Sequence, residues 1–237
     1  MITIHNLVKK FGSKTAVNIP ELQILHGNLV GLVGNNGAGK TTLFRLILDL
    51  MKPEEGYILH QGDKVCDTET WKSHTGSFID NRFLIEFLTA EEYLYFVGAS
   101  YGLEKAQVVE RLGGFSRFMN GEILKQKKYI REFSAGNKQK LGIIAAMMVR
   151  PDLLILDEPF NFLDPSSQIE IRNLIKTLHQ ETGATIIISS HNLNYTTDIC
   201  TRMLLLEHGI LKQDLDNSQG QAVEVLNTYF IQQTERS

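Results

Sequence analysis

The residues 34–42, Gly34-Asn35-Asn36-Gly37-Ala38-Gly39-Lys40-Thr41-Thr42, carry the chemistry of a phosphate site. Glycines let successive backbone N–H groups converge on an anion where a Cβ would intrude. Lys40 then reaches the terminal phosphates of a nucleotide, and the Thr41 hydroxyl is placed to hold Mg²⁺. Thr42 caps or packs. A glycine turn that merely precedes a helix is the plain alternative. Lys-Thr directly after Gly39 argues against it.

A second group lies at the end of an apolar run, Leu153-Leu154-Ile155-Leu156-Asp157-Glu158. Two carboxylates at the C-terminal end of a buried strand stand where ligands gather in open α/β sheets. Asp157 binds Mg²⁺ directly or through a water, and Glu158, one residue further out, orients and polarises an attacking water. Solvated acids at a strand end are the alternative, which the phosphate loop in the same chain disfavours.

Both groups need strands to carry them. Leu29-Val30-Gly31-Leu32-Val33 is a compact apolar run that feeds into the glycine loop, and Leu43, Leu46, Ile47 and Leu50 mark a helix after it. Residues 1–8, 56–60 and 75–79 read as further strands, as do 153–156, 185–189 and 203–206. From Thr89-Ala90-Glu91-Glu92, a capping-box pattern, to Arg150 the periodicity is helical. Helical stretches at 166–179 and 193–200 alternate with the later strands, which implies a mainly parallel sheet covered on both faces. In the tail, Val223, Leu226 and Phe230 fall at helical spacing.

At 237 residues, 43% hydrophobic and with a formal net charge of -3, the chain reads as a soluble globular protein. A nucleic-acid binder would be strongly basic, so no nucleic-acid partner is expected. Cys66 and Cys200 stand far apart in no metal-ligand spacing, which suits a reducing compartment. No secretory leader is read at the start. The most apolar stretch, 141–149, is far short of the ~18 residues of a membrane span, so work at a membrane would need another polypeptide to do the spanning.

With these motifs in place the chain resembles the nucleotide-binding domain of ABC transporters, over essentially its whole length. Phe133-Ser134-Ala135-Gly136-Asn137 matches the family signature, Asn161-Phe162-Leu163-Asp164 the D-loop, and Ser189-Ser190-His191 the switch histidine. The resemblance implies a P-loop NTPase (RecA-like) α/β fold: a mainly parallel sheet core, an N-terminal antiparallel β subdomain and an inserted α-helical subdomain. It implies one ATP-binding domain, 1–237, with core segments near 1–80 and 151–215, helices near 81–150 and a C-terminal helix near 220–234. ATP and Mg²⁺ are the expected ligands. Lys40, Glu158 and His191 take catalytic roles, with His191 on the γ-phosphate, and Phe11 stacks on adenine. Ser134 and Gly136 meet the γ-phosphate held by a partner subunit's loop, and Asp164 links the two sites. Ser134 as a plain helix cap is compatible with that role.

Three positions depart from the family pattern. Asp80 stands where the Q-loop glutamine is usual; it can still ligate Mg²⁺ but adds negative charge beside Asp157 and Glu158. Ala135 replaces a glycine and Asn137 a glutamine, both mild changes. The function implied is ATP hydrolysis by two copies, or one copy and a second ATP-binding subunit, closing around two ATP. Transmembrane permease subunits would follow the motion at the cytoplasmic face of the membrane. Phe83, Leu84 and Phe87 are candidates for the groove that receives the membrane subunit; their own core is the alternative. A soluble ABC-type ATPase in a non-transport process such as cofactor assembly is the second reading.

Overall fold

Apolar runs and turn residues set an alternating order of elements in the structure, a computed structural model that describes residues 1–235. In chain order these are β1 (Ile2–Phe11), β2 (Lys14–Ile24), β3 (Leu29–Val33), α1 (Lys40–Ile47), β4 (Glu55–His60), β5 (Asp63–Lys64) and β6 (Thr75–Phe78). There follow α2 (Ala90–Ser100), α3 (Lys105–Gly113), α4 (Ser116–Met119), α5 (Ala135–Met148), β7 (Leu153–Leu156) and α6 (Pro165–Thr182). Last come β8 (Thr185–Ser190), α7 (Leu193–Thr197), β9 (Arg202–Glu207), β10 (Ile210–Asp216) and α8 (Ala222–Glu235). The chain divides into two compact units, residues 1–71 with 185 onward, and residues 72–184.

In the first unit, every residue of β3 and β8 is buried, as the apolar runs 29–33 and 186–188 require of strands covered on both faces. β3 pairs in parallel with β8 on one side and β9 on the other, with Leu32 opposite Ser189 and Leu204. β10 closes this edge antiparallel to β9 through the His208-Gly209 turn, where both residues take positive φ, 47° and 79°. A second sheet runs β2-β1-β4-β5, all antiparallel. It was expected at the N terminus, but β2 was not legible there: Pro20 interrupts it, tolerated because β2 is the sheet edge. Asn6 bulges β1 at φ 46°, and Gly56 answers it: a Cβ there would lie 2.2 Å from the Asn6 carbonyl oxygen.

In the second unit, β6 and β7 pair in parallel, Phe78 opposite Leu156. α5 seats on β6 with almost no spacing: a Cβ on Gly142 would meet the Phe78 ring at 2.0 Å, and one on Gly76 the Ala146 carbonyl at 2.2 Å. From Gln139 to Val149 α5 and its cap are wholly buried. α2 begins at the expected capping box, with Glu92 N–H donating to Thr89 Oγ1 at 3.3 Å and Thr89 N–H to Glu92 Oε2 at 2.8 Å. α6 starts at Asp164 with Pro165 in its first turn and stops at Gly183, φ 67°. Its measured length exceeds the expected 166–179 at both ends because the cap and the stop residue, not the apolar spacing, set the ends.

Candidate functional site

The phosphate loop lies between fully buried β3 and α1. Two of its glycines are demanded by neighbours: a Cβ on Gly34 would lie 2.2 Å from the Leu206 carbonyl oxygen, and one on Gly39, at φ 109°, 2.4 Å from that of Ala16. The loop is further tied down by Gly209 N–H donating to the Ala38 carbonyl at 2.8 Å and Ala38 N–H to the Asn35 carbonyl at 3.0 Å. Asn35, Asn36 and Gly37 are exposed at its tip. α1 begins at Gly39 with no side-chain cap and no acidic residue in its first turn, so its N-terminal end presents backbone donors and positive potential. The Lys40 side chain, 6% exposed, folds back along the loop and donates to the Gly34 carbonyl at 2.6 Å and that of Asn35 at 3.4 Å. An ammonium held by carbonyls along a glycine-lined anion cradle fits a polyphosphate, which offers it stronger acceptors. Thr41 and Thr42 follow on the first turn of α1, half-buried.

Also in the first unit, Phe11 ends β1 with its ring 51% exposed and the Lys9 ammonium 5.6 Å from the ring centroid, an open aromatic face of the kind a base can stack on. His191 follows directly on β8 and is exposed. The turn it occupies is fixed by Asn192 N–H donating to Ser190 Oγ at 2.9 Å, and Asn192 caps α7.

The second unit brings the acidic residues together. A cavity of about 200 Å³ is lined by Asp80, Asp157 and Glu158 with Gln139, Asn161 and Phe162. Asp157 is buried, and its N–H donates to the Phe78 carbonyl at 2.9 Å, continuing the β6–β7 ladder past the end of β7. Glu158 breaks from that ladder with φ 48°, a left-handed conformation rare for a residue with a side chain. Its carbonyl accepts from Asn161 N–H at 3.2 Å and from Gln139 Nε2 at 3.1 Å. Carboxylates are hard oxygen donors of the kind Mg²⁺ takes, although among the described residues no three His, Cys, Asp or Glu side chains are grouped as a metal set. Asp80, named for that role, also caps the turn at Asn81–Phe83 through Arg82 N–H (2.9 Å) and pairs with the Arg82 guanidinium at 2.5 and 2.8 Å. That pairing offsets the charge which the substitution at this position adds.

Ser134 caps α5, its Oγ accepting from Asn137 N–H at 3.2 Å, and like α1 the helix has no acidic residue in its first turn. Gly136 has a local reason as well: a Cβ there would lie 2.7 Å from the Phe162 carbonyl of the loop before α6. Asp164 caps α6, accepting from Ser167 N–H at 3.0 Å and from the Ser166 and Ser167 hydroxyls at 2.5 and 2.6 Å. These hydrogen bonds, with Lys140 further off, hold its carboxyl well below the usual carboxylate range. Leu84 belongs to the unit's own core, whereas Phe83 and Phe87 are 55% and 70% exposed. Sequence reasoning missed Gln139 and Lys140. Their signal was that they end a run of four polar residues, 137–140, at the head of a helix that is apolar from there through residue 149.

A glycine loop with Lys40-Thr41 after a buried strand, and an Asp-Glu strand end elsewhere in the same α/β chain, define a P-loop ATPase. The comparisons refine that class. Residues 17–161 match the family model described as ABC transporter. The chain is 34% identical to YcbN, an ABC transporter ATP-binding protein of Bacillus subtilis (strain 168), over 99% of this chain and 76% of that protein. It is 36% identical to BcrA, a bacitracin transport ATP-binding protein of Enterococcus faecalis, over 92% of this chain and 70% of that one. A solved structure of an ATP-binding subunit of an ABC transporter superposes with a TM-score of 0.82 at 29% identity, covering 91% of this chain and 90% of that chain. The chain belongs to the ABC transporter family, among its ATP-binding subunits.

Proposed function

We propose that this protein is the ATP-hydrolysing motor subunit of a transport complex, pairing with a second copy or a second ATP-binding subunit around two ATP with Mg²⁺. Separate transmembrane permease subunits carry the substrate. Among the described residues no helix is long and apolar enough to cross a membrane. That fits a subunit held at the cytoplasmic face through such partners. The observation that carries the reading is the pair of uncapped-by-acid helix ends, α1 with Lys40 and α5 with Ser134, in a chain whose loop glycines are held in place by their neighbours.

The roles follow from the chemistry of the side chains. Lys40 exchanges the Gly34 carbonyl for phosphoryl oxygens and stabilises the charge that develops there. Thr41 and Asp157 would hold Mg²⁺, as would Asp80, which lines one cavity with Asp157; the ion would supply charge neutralisation to the phosphates. Glu158 orients the attacking water, and His191 contacts the γ-phosphate. Ser134 and Gly136 at the head of α5 meet the nucleotide of the partner subunit, and Asp164 ties the two sites. Closure by ATP and reopening after hydrolysis is a ligand-driven population shift that the permease subunits follow.

Glu158→Gln tests this most directly. The variant keeps the volume and the ability to bind ATP, so it should accumulate as an ATP-loaded dimer on gel filtration with turnover reduced at least ~100-fold. Full turnover by Glu158→Gln would remove Glu158 from the chemistry.

A further inference from the structure

Glu158 is asked to present a carboxylate to water from a backbone conformation that side-chain-bearing residues avoid, φ 48°. Something must hold that peptide in place. Its carbonyl is gripped from two directions: locally by Asn161 N–H at 3.2 Å, and across 19 residues of sequence by Gln139 Nε2 at 3.1 Å. Gln139 is 5% exposed, lines the same cavity as Asp157 and Glu158, and sits on α5, the helix pinned to β6 by the Gly142–Phe78 contact. A buried amide on an anchored helix is a rigid arm, and a hydrogen bond to a strained carbonyl selects one of that peptide's orientations.

We propose that Gln139 is a positioning residue for hydrolysis, holding the Glu158 peptide in its left-handed conformation so that the carboxylate faces the cavity. Gln139 lies five residues beyond Ser134 on the same helix, so α5 joins the signature at its head to the water-orienting residue of its own subunit. The inference rests on the reading of Glu158 as the residue that orients water.

Two variants test it in the full-length protein. Gln139→Met fills the space without a donor. It should lower kcat about tenfold while KM for ATP moves less than twofold, with the thermal midpoint measured alongside to confirm folding. Gln139→Glu is isosteric and regains a donor only when its carboxyl is protonated, which burial favours. The ratio of its kcat to that of the unaltered protein should therefore rise as pH falls from 8 towards 5.5, whereas the Gln139→Met ratio stays flat. Wild-type kcat in a folded Gln139→Met, or parallel pH profiles for the two variants, overturns the proposal. Should Glu158→Gln retain full turnover, the reading beneath it fails, whatever the Gln139 variants do.

Discussion

Lys40→Ala removes an ammonium that is 6% exposed and 2.6 Å from the Gly34 carbonyl. The Gly34 and Asn35 carbonyls it contacts are neutral acceptors, so binding exchanges those two carbonyl contacts for contacts with anionic oxygens. Hydrogen bonds to charged groups are worth about 1.5–3 kcal/mol net, and about 1.4 kcal/mol is tenfold in affinity. Affinity for Mg-ATP should therefore fall roughly 10- to 150-fold. Coulomb attraction at 4 Å with an effective dielectric of 20, about 4 kcal/mol, sets the ceiling before the lost loop contacts are subtracted. Calorimetric titration of ATP into the variant measures the change. A melt without nucleotide is the needed companion, since taking a donor from the Gly34 carbonyl costs about 1–3 kcal/mol of stability by itself. Lys40→Arg keeps the charge but carries a planar fork into a space shaped for an ammonium, and should fall between the two. A folded Lys40→Ala that binds ATP within twofold of the unaltered protein would refute the placement of Lys40 on the phosphates.

Ser134→Ala should lower the dimer-dependent ATPase while nucleotide binding by the monomer stays intact; loss of both would reduce Ser134 to a helix cap. Gly142→Ala pushes a Cβ into the Phe78 ring at a nominal 2.0 Å and should cost about 1–3 kcal/mol, read as a lower melting temperature; an unchanged melt would mean α5 is not pinned there. Burial, and secondarily Tyr101, raise the Tyr93 phenol to about 12. The unfolded chain loses that proton near pH 10 and the folded chain holds it. Stability is then intact below pH 10 and falls by roughly 2–3 kcal/mol as pH rises through 12, a slope that Tyr93→Phe should flatten in denaturant titrations. Parallel slopes for the two proteins would count against it.

The chemistry closest to the backbone was written in the sequence. A glycine loop between a strand and a helix works through local dihedrals and N–H groups, so Gly34 to Thr41 could be placed without any long-range contact. The same holds for Asp157 at the end of an apolar run, for Ser134 as a cap and for the Thr89–Glu92 box, whose partners lie within a turn. Tertiary structure decided whatever depends on residues distant in the chain. It set Leu206 and Ala16 against Gly34 and Gly39, so those glycines are needed for room as well as for φ. It divided a run of similar aromatic and aliphatic side chains into exposed Phe83 and Phe87 and buried Leu84. It also turned Gln139 towards the carbonyl of Glu158. Periodicity reports which face of an element is apolar but not what lies opposite, because packing joins faces whose separation along the chain carries no local signal.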